Sequence, residues 1–145
     1  MPKRFEASVV IDSPADQVWP VLTDIASYPD WDPNMVRTEG TIAPGNKVKF
    51  FTKLMPNRAF PVKVTELDEN RRLVLTGGMP IPGLFKSERI YNVTEIDAGT
   101  KVELTESFNG LLLPLFGRQI PDLNPIFEEF VQALKERVTG TASEA

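Results

Sequence analysis

Histidine and cysteine are both absent from the 145 residues. Without cysteine there is no disulfide, no thiol nucleophile and no thiolate metal ligand, which fits a reducing compartment and makes the cytoplasm the expected location. Lack of histidine removes the commonest general base, the commonest metal ligand and the middle member of hydrolase triads. Any acid–base chemistry then falls to carboxylates, Lys, Tyr or Arg. A dense basic stretch is missing too, since Lys and Arg are spread from Lys3 to Arg137 against a net charge of −4. Phosphate neutralisation needs a basic face, so nucleic acid is not an expected partner. Residues 1–14 carry no signal-like apolar run, and the longest apolar stretch, residues 111–116, is interrupted by Pro114. No membrane span, and no integral membrane association, is expected.

What is present suits one ordinary globular core. The chain has the length of a single domain, which buries roughly two-thirds of the surface its unfolded form would expose, and it is 41% hydrophobic and 25% charged. We assign residues 1–140 to that domain and residues 141–145 to a frayed tail. The 13 prolines are expected at turns and helix ends. Residues 5–11 end in Val9-Val10-Ile11 and predict a buried first strand. Ser13-Pro14-Ala15-Asp16 predicts a helix start, with Ser13 as cap, Pro14 in the first turn and Asp16 as a capping-box partner. Val18, Val21, Leu22 and Ile25 follow at helical spacing, although Pro20 should bend or shorten that helix. Residues 28–33 form a turn-rich link.

From residue 35 to residue 109 the pattern is strand and turn. Strands are expected at 35–41, 47–54, 59–67, 72–78, 85–96 and 100–109, with turns at Pro44-Gly45-Asn46, Pro56-Asn57 and Asp68-Glu69-Asn70 and a Pro/Gly loop at 79–83. Val48, Phe50 and Leu54 should share one face of their strand, and Phe60, Val62 and Val64 one face of the next. Short links imply an antiparallel meander. The period then changes: Leu123, Ile126, Phe127, Phe130, Val131, Leu134 and Val138 define an amphipathic helix of about four turns. Asp122 or Asn124 could cap it, Pro125 lies in its first turn and Gly140 can end it. Residues 110–120 are expected to be helical as well. The order β-α-β6-α describes an α+β helix-grip fold, a curved seven-stranded antiparallel sheet around a long C-terminal helix. One helix cannot fill the concave face of so wide a sheet, so a cavity between them is expected.

This order, together with Ile11-Asp12-Ser13-Pro14-Ala15-Asp16-Gln17-Val18-Trp19 and Tyr28-Pro29-Asp30-Trp31-Asp32-Pro33, resembles the SRPBCC superfamily, the START and Bet v 1-like group that includes polyketide cyclases and lipid-transfer proteins. Gly83-Leu84-Phe85, Gly99-Thr100 and Glu106-Ser107-Phe108-Asn109-Gly110 resemble its bacterial branch. The resemblance covers residues 5–138 and implies the fold. It does not choose among carriers, receptors and enzymes. Members of the branch often carry histidines at positions matching Arg89 and Leu104; this chain has none, so histidine-dependent chemistry does not carry over.

The polar candidates come from one hairpin. A two-residue turn at Ala98-Gly99 would set Val93 opposite Leu104, Tyr91 opposite Glu106 and Arg89 opposite Phe108, all on the face that holds Val102. Arg89, Tyr91 and Glu106 would then be polar groups inside an apolar enclosure, with Arg89 diagonal to Glu106. They form either the polar end of a ligand site or an ion pair that ties two strands and touches no ligand. Glu106 and Tyr91 are the candidate catalytic groups. Leu111, Leu112, Leu113, Leu115, Phe116 and Ile120 either gate the cavity mouth or are plain core. Phe50, Phe60, Leu75 and Met79 carry the same two readings, and Trp19 and Trp31 are expected as packing anchors. Asp30 and Asp32 sit in a Pro-rich turn and read as turn formers, not a metal pair. The expected ligand-lining set is therefore Phe50, Phe60, Leu75, Met79, Arg89, Tyr91, Leu104, Glu106, Phe108, Leu112, Phe116 and Ile120.

Binding of a small hydrophobic or amphipathic molecule, such as a lipid, polyketide or aromatic metabolite, is the expected function, with no cofactor and no metal. A cyclase, aromatase or dehydratase using Glu106 or Tyr91 is the alternative, and an interaction protein using the outer sheet face is a third. Whether the chain forms a homodimer is open.

Overall fold

The computed structural model describes residues 3–78, 86–110 and 122–140. Strand β1 (Lys3–Ile11) is followed by helix α1 (Ala15–Thr23), a 3₁₀ turn (Ile25–Ser27) and the single turn α2 (Tyr28–Trp31). Strands β2 (Met35–Glu39), β3 (Lys47–Thr52), β4 (Met55–Asp68), β5 (Arg72–Gly78), β6 (Lys86–Ile96) and β7 (Gly99–Asn109) lead to helix α3 (Asn124–Thr139). The seven strands form one sheet in the order β1-β7-β6-β5-β4-β3-β2, every neighbouring pair antiparallel. Helix α3 packs chiefly on β1 and also meets α1, α2 and β7. This is the helix-grip arrangement.

Burial follows the two periods in the sequence. Along β7 every second side chain is inside: Thr100, Val102, Leu104, Glu106 and Phe108. Along α3 the buried residues are Phe127, Phe130, Val131 and Leu134, one stripe at helical spacing. Gly140 ends the helix in the left-handed conformation, φ 76°, with its N–H donating to the Glu136 carbonyl.

Sheet curvature comes from irregularities on one side. The pairs β1–β7, β5–β6 and β6–β7 run without a register shift, whereas β2–β3, β3–β4 and β4–β5 each contain one. An extra residue in one strand bends it and increases its twist. Phe50 and Phe51, adjacent in β3, are both buried on opposite faces of the strand: Phe50 faces the interior core and Phe51 lies under the Arg37 guanidinium, 3.9 Å from its ring centre.

Several local expectations need correction. Ser13 does not cap α1; its hydroxyl donates to the Asp12 carbonyl, and the cap position is Pro14. At the start of α3 the cap position is Leu123, without a side-chain bond, while Asp122 accepts the Asn124 N–H at 3.0 Å. Asn124 instead accepts the Glu6 N–H at 3.0 Å, fastening α3 to β1. The turn expected at Pro56-Asn57 is made by Lys53-Leu54, with Thr52 paired to Met55. Leu54 consequently leaves the core and is 55% exposed. Proline is tolerated at 56 and 61 because β5 pairs with β4 only from Lys63 onward, so among the described residues this half of β4 has β3 alone as a partner.

The β6–β7 turn is Asp97-Ala98, one residue earlier than expected, with Ile96 paired to Gly99. Each cross-strand partner moves by two positions, so every side chain keeps its face. Arg89 now lies directly opposite Glu106, and Tyr91 opposite Leu104. Gly99 has φ 133°, and a Cβ there would collide with the Ile11 carbonyl. The expected helix at 110–120, except Gly110, the 79–83 loop and the 141–145 tail lie outside the described residues.

Candidate functional site

A recess of about 510 Å³ opens between the β2–β4 part of the sheet and the first turns of α3. From the sheet, Phe50, Phe60 and Phe108 supply aromatic walls, and Phe50 and Phe60 are direct cross-strand partners. Leu123, Ile126 and Phe127 close it from the α3 side, and Asn34, Met35, Thr52, Lys53 and Leu54 form its rim. A larger concavity, about 620 Å³, lies outside against α3, where Glu128, Glu129 and Glu136 contribute to its lining. Those glutamates make it a poor home for an apolar molecule.

The polar feature of the inner recess is a forked ion pair. Arg89 donates from Nε to Glu106 Oε2 at 2.7 Å and from Nη2 to Glu106 Oε1 at 3.2 Å. Such two-bond geometry fits the guanidinium fork. Glu106 is 3% exposed and Arg89 21%, so the carboxylate is the deeper member. Arg89 Nη1 makes a long 3.5 Å contact with the Tyr91 hydroxyl, and its carbon lies 5.2 Å from the Phe127 ring centre. A guanidinium has five N–H groups, which leaves two without a partner among the described residues. Burial pulls the Arg89 pKa down, but the Glu106 charge and hydrogen bonds, helped by Tyr91, outweigh it and raise the value above that of a free guanidinium. Arg89 therefore stays charged.

Behind the recess lies an aromatic layer. Tyr28, fully buried, donates its hydroxyl to the Leu22 carbonyl, stacks on Phe50 with centroids 6.3 Å apart and meets Phe130 edge-on at 5.5 Å. Tyr91 and Trp31 contact the same Phe130. Burial pushes both tyrosine pKa values up; for Tyr91 the charge and hydrogen bond of Arg89 oppose that rise without cancelling it. Both remain phenols at neutral pH. Asp32 is 6% exposed and accepts the Asn34 N–H at 3.0 Å. Burial raises its pKa, against the lowering effects of that hydrogen bond and of Arg89. It forms a turn as expected, but as a buried carboxyl.

Of the residues expected to line a ligand site, the structure brings Phe50, Phe60, Arg89, Glu106 and Phe108 together around the recess. Tyr91, Leu75 and Leu104 are buried in the core beside it and do not line it. Met79, Leu112, Phe116 and Ile120, with Leu111, Leu113 and Leu115, lie outside the described residues. Trp19 is buried and Trp31 half-buried, both packed as anchors. Sequence reasoning missed Asn34, Met35, Thr52, Lys53, Leu54, Leu123, Ile126 and Phe127 as lining residues. The last three were visible as one end of the apolar stripe on α3; nothing in the sequence separated that end from the part that fills the core. No group of three or more Asp or Glu side chains stands close enough to hold a metal among the described residues, and no described helix is long and apolar enough to cross a membrane.

Among solved structures the fold is widely shared. The Zhui aromatase/cyclase from Streptomyces sp. R1128 is 17% identical with a TM-score of 0.72, over 96% of this chain and 94% of that one. A protein from Thermus thermophilus is also 17% identical, with a TM-score of 0.73 over 97% and 99%. A norcoclaurine synthase point mutant from Thalictrum flavum, in complex with a transition state analogue, is 13% identical with a TM-score of 0.70 over 97% and 96%. At such identities the likeness shows the fold alone. No curated protein matches the chain. The family described as polyketide cyclase / dehydrase and lipid transport matches residues 2–139, and the chain belongs to that family.

Proposed function

We propose that this protein binds a small apolar or amphipathic molecule non-covalently in the inner recess, for carriage, sequestration or sensing. The carrying observation is the Arg89–Glu106 fork set in a largely aromatic space of about 510 Å³ whose other polar lining residues, Asn34, Thr52 and Lys53, lie at the rim. Apolar burial at about 25 cal/mol per Å² supplies the free energy of such binding, and a few placed polar groups supply orientation. The two N–H groups of Arg89 without a partner among the described residues suit a ligand carbonyl or hydroxyl oxygen. Family membership supports the same reading. Native mass spectrometry of freshly purified protein tests it: a discrete adduct of small-molecule mass is expected. Absence of any adduct, together with no uptake of an apolar fluorescent probe, would refute it.

A cyclase or dehydratase is the second reading, favoured by the family description and by the fold shared with an aromatase/cyclase. Proton transfer would fall to Glu106 or Tyr91. Against this, both carboxylate oxygens of Glu106 are already engaged by Arg89, and the Tyr91 phenol is held back from ionising by burial. Positioning of a reactive chain within the recess could still lower a barrier by several kcal/mol. Glu106→Gln separates the two: loss of turnover with ligand affinity retained marks an enzyme.

A further inference from the structure

We propose that the molecule held in the recess is an amphipathic acid, with its anionic end at the mouth beside Lys53 and its apolar body along the aromatic walls. This rests on the binding reading above and adds the charge of the ligand to it. Three charged side chains line the recess among the described residues: Arg89, Glu106 and Lys53. Arg89 and Glu106 neutralise each other through their fork. Lys53 has no carboxylate within salt-bridge distance among the described residues, although its charge reaches Asp32. Lys53 is thus the one charge lining the recess that no described carboxylate pairs within salt-bridge distance, on a protein whose net charge is −4; Asp32 and Glu129, each accepting a hydrogen bond from the rim residue Asn34, stand outside the lining.

Lys53 is also well placed to meet a ligand. It sits in the two-residue β3–β4 turn, and its N–H donates to the Asn34 carbonyl at 3.0 Å, which fixes the backbone from which the ammonium extends. Leu54, beside it, supplies a second and independent observation. This residue lines the recess yet is 55% exposed. A molecule confined to the interior leaves it in water; one that extends to the rim covers it. A ligand long enough to reach Leu54 brings its end to Lys53. The lysine ammonium is a point charge on a flexible stem, so it accepts a carboxylate, sulfonate or phosphate monoester alike. The shared requirement is one negative charge at the outer end.

The test uses two probes with the same ring skeleton, the sulfonate 1-anilinonaphthalene-8-sulfonate and the neutral N-phenyl-1-naphthylamine, titrated by fluorescence. Lys53→Met should weaken the sulfonate about threefold to fivefold, the range of an exposed ion pair, and leave the neutral probe unchanged. Lys49→Met, at an exposed lysine of β3 that does not line the recess, should change neither. Raising salt to about 0.5 M should erase the difference between wild type and Lys53→Met. Equal loss for both probes, no loss for either, or the same effect from Lys49→Met overturns the acid and leaves the binding reading intact. Failure of both probes to bind the wild-type protein overturns the binding reading and the acid with it.

Discussion

Breaking the Arg89–Glu106 fork from its two ends should have unequal consequences. Arg89→Met leaves the Glu106 carboxylate, 3% exposed, without its cation. Removing one partner of a buried pair costs about 3–5 kcal/mol, and about 4 kcal/mol is expected here. Glu106→Gln leaves the guanidinium instead, but that side chain is 21% exposed and the glutamine oxygen still accepts one N–H. About 2 kcal/mol is expected for this change, toward the lower end of what a charged hydrogen bond contributes. In a chain of this size each kcal/mol moves Tm by about 3–4 °C, so the two variants should melt roughly 14 °C and 7 °C below wild type. Removing both charges together strands neither, and the double variant should be more stable than Arg89→Met alone. Urea unfolding at pH 7, followed by far-ultraviolet circular dichroism with the slope held in common, measures all three. A double variant less stable than Arg89→Met, or Glu106→Gln costlier than Arg89→Met, would mean that water reaches Glu106 and that the fork is no interior feature.

Other outcomes follow from the same geometry. Gly99→Ala should destabilise by more than about 2 kcal/mol in urea unfolding, since it combines a left-handed φ with a collision against the Ile11 carbonyl; a loss below about 0.5 kcal/mol would refute the close approach. Glu106→Gln, if the protein is a carrier, should keep its affinity for N-phenyl-1-naphthylamine within about threefold, because apolar burial supplies most of the binding. Asp32 has a folded pKa raised above its ordinary 3.8: the native state holds that proton more tightly than the unfolded chain, so its contribution to stability falls as pH climbs from 3.8 through the raised value. Asp32→Asn, which keeps the oxygen that accepts the Asn34 N–H, should therefore be more stable than wild type at pH 7, with the advantage closing as pH falls toward 3.8. Melting curves across that range would contradict the burial of Asp32 if the advantage instead grew in acid.

Much of the fold was legible because two periods carry it. Strict alternation along residues 100–108 and the i, i+3, i+4 stripe from Leu123 to Val138 each fix a buried face, whatever the chain does between them. The fork was legible for a subtler reason. Placing the hairpin turn one residue too late displaces every partner by two positions, and a displacement of two leaves each side chain on its own face. Arg89 and Glu106 therefore stayed together on the concave side, and only their relation changed, from diagonal to opposite. The Lys53-Leu54 turn was illegible because alternation through Val48, Phe50 and Leu54 continues past the point where the strand ends, while Pro56 suggests a turn that β4 absorbs where, among the described residues, only β3 pairs with it. Curvature has no such periodic trace. A register shift interrupts each pairing on the β2–β5 side, and those in β2–β3 and β4–β5 are bulges of a single added residue, which the hydrophobic pattern barely registers. The recess opens beside those bulges, so its outer rim, Lys53 and Leu54 included, is set by the part of the fold that local sequence describes least well. The inner polar end, Arg89 and Glu106, rests on regularly paired strands. A ligand spanning both would join the most legible part of this protein to the least.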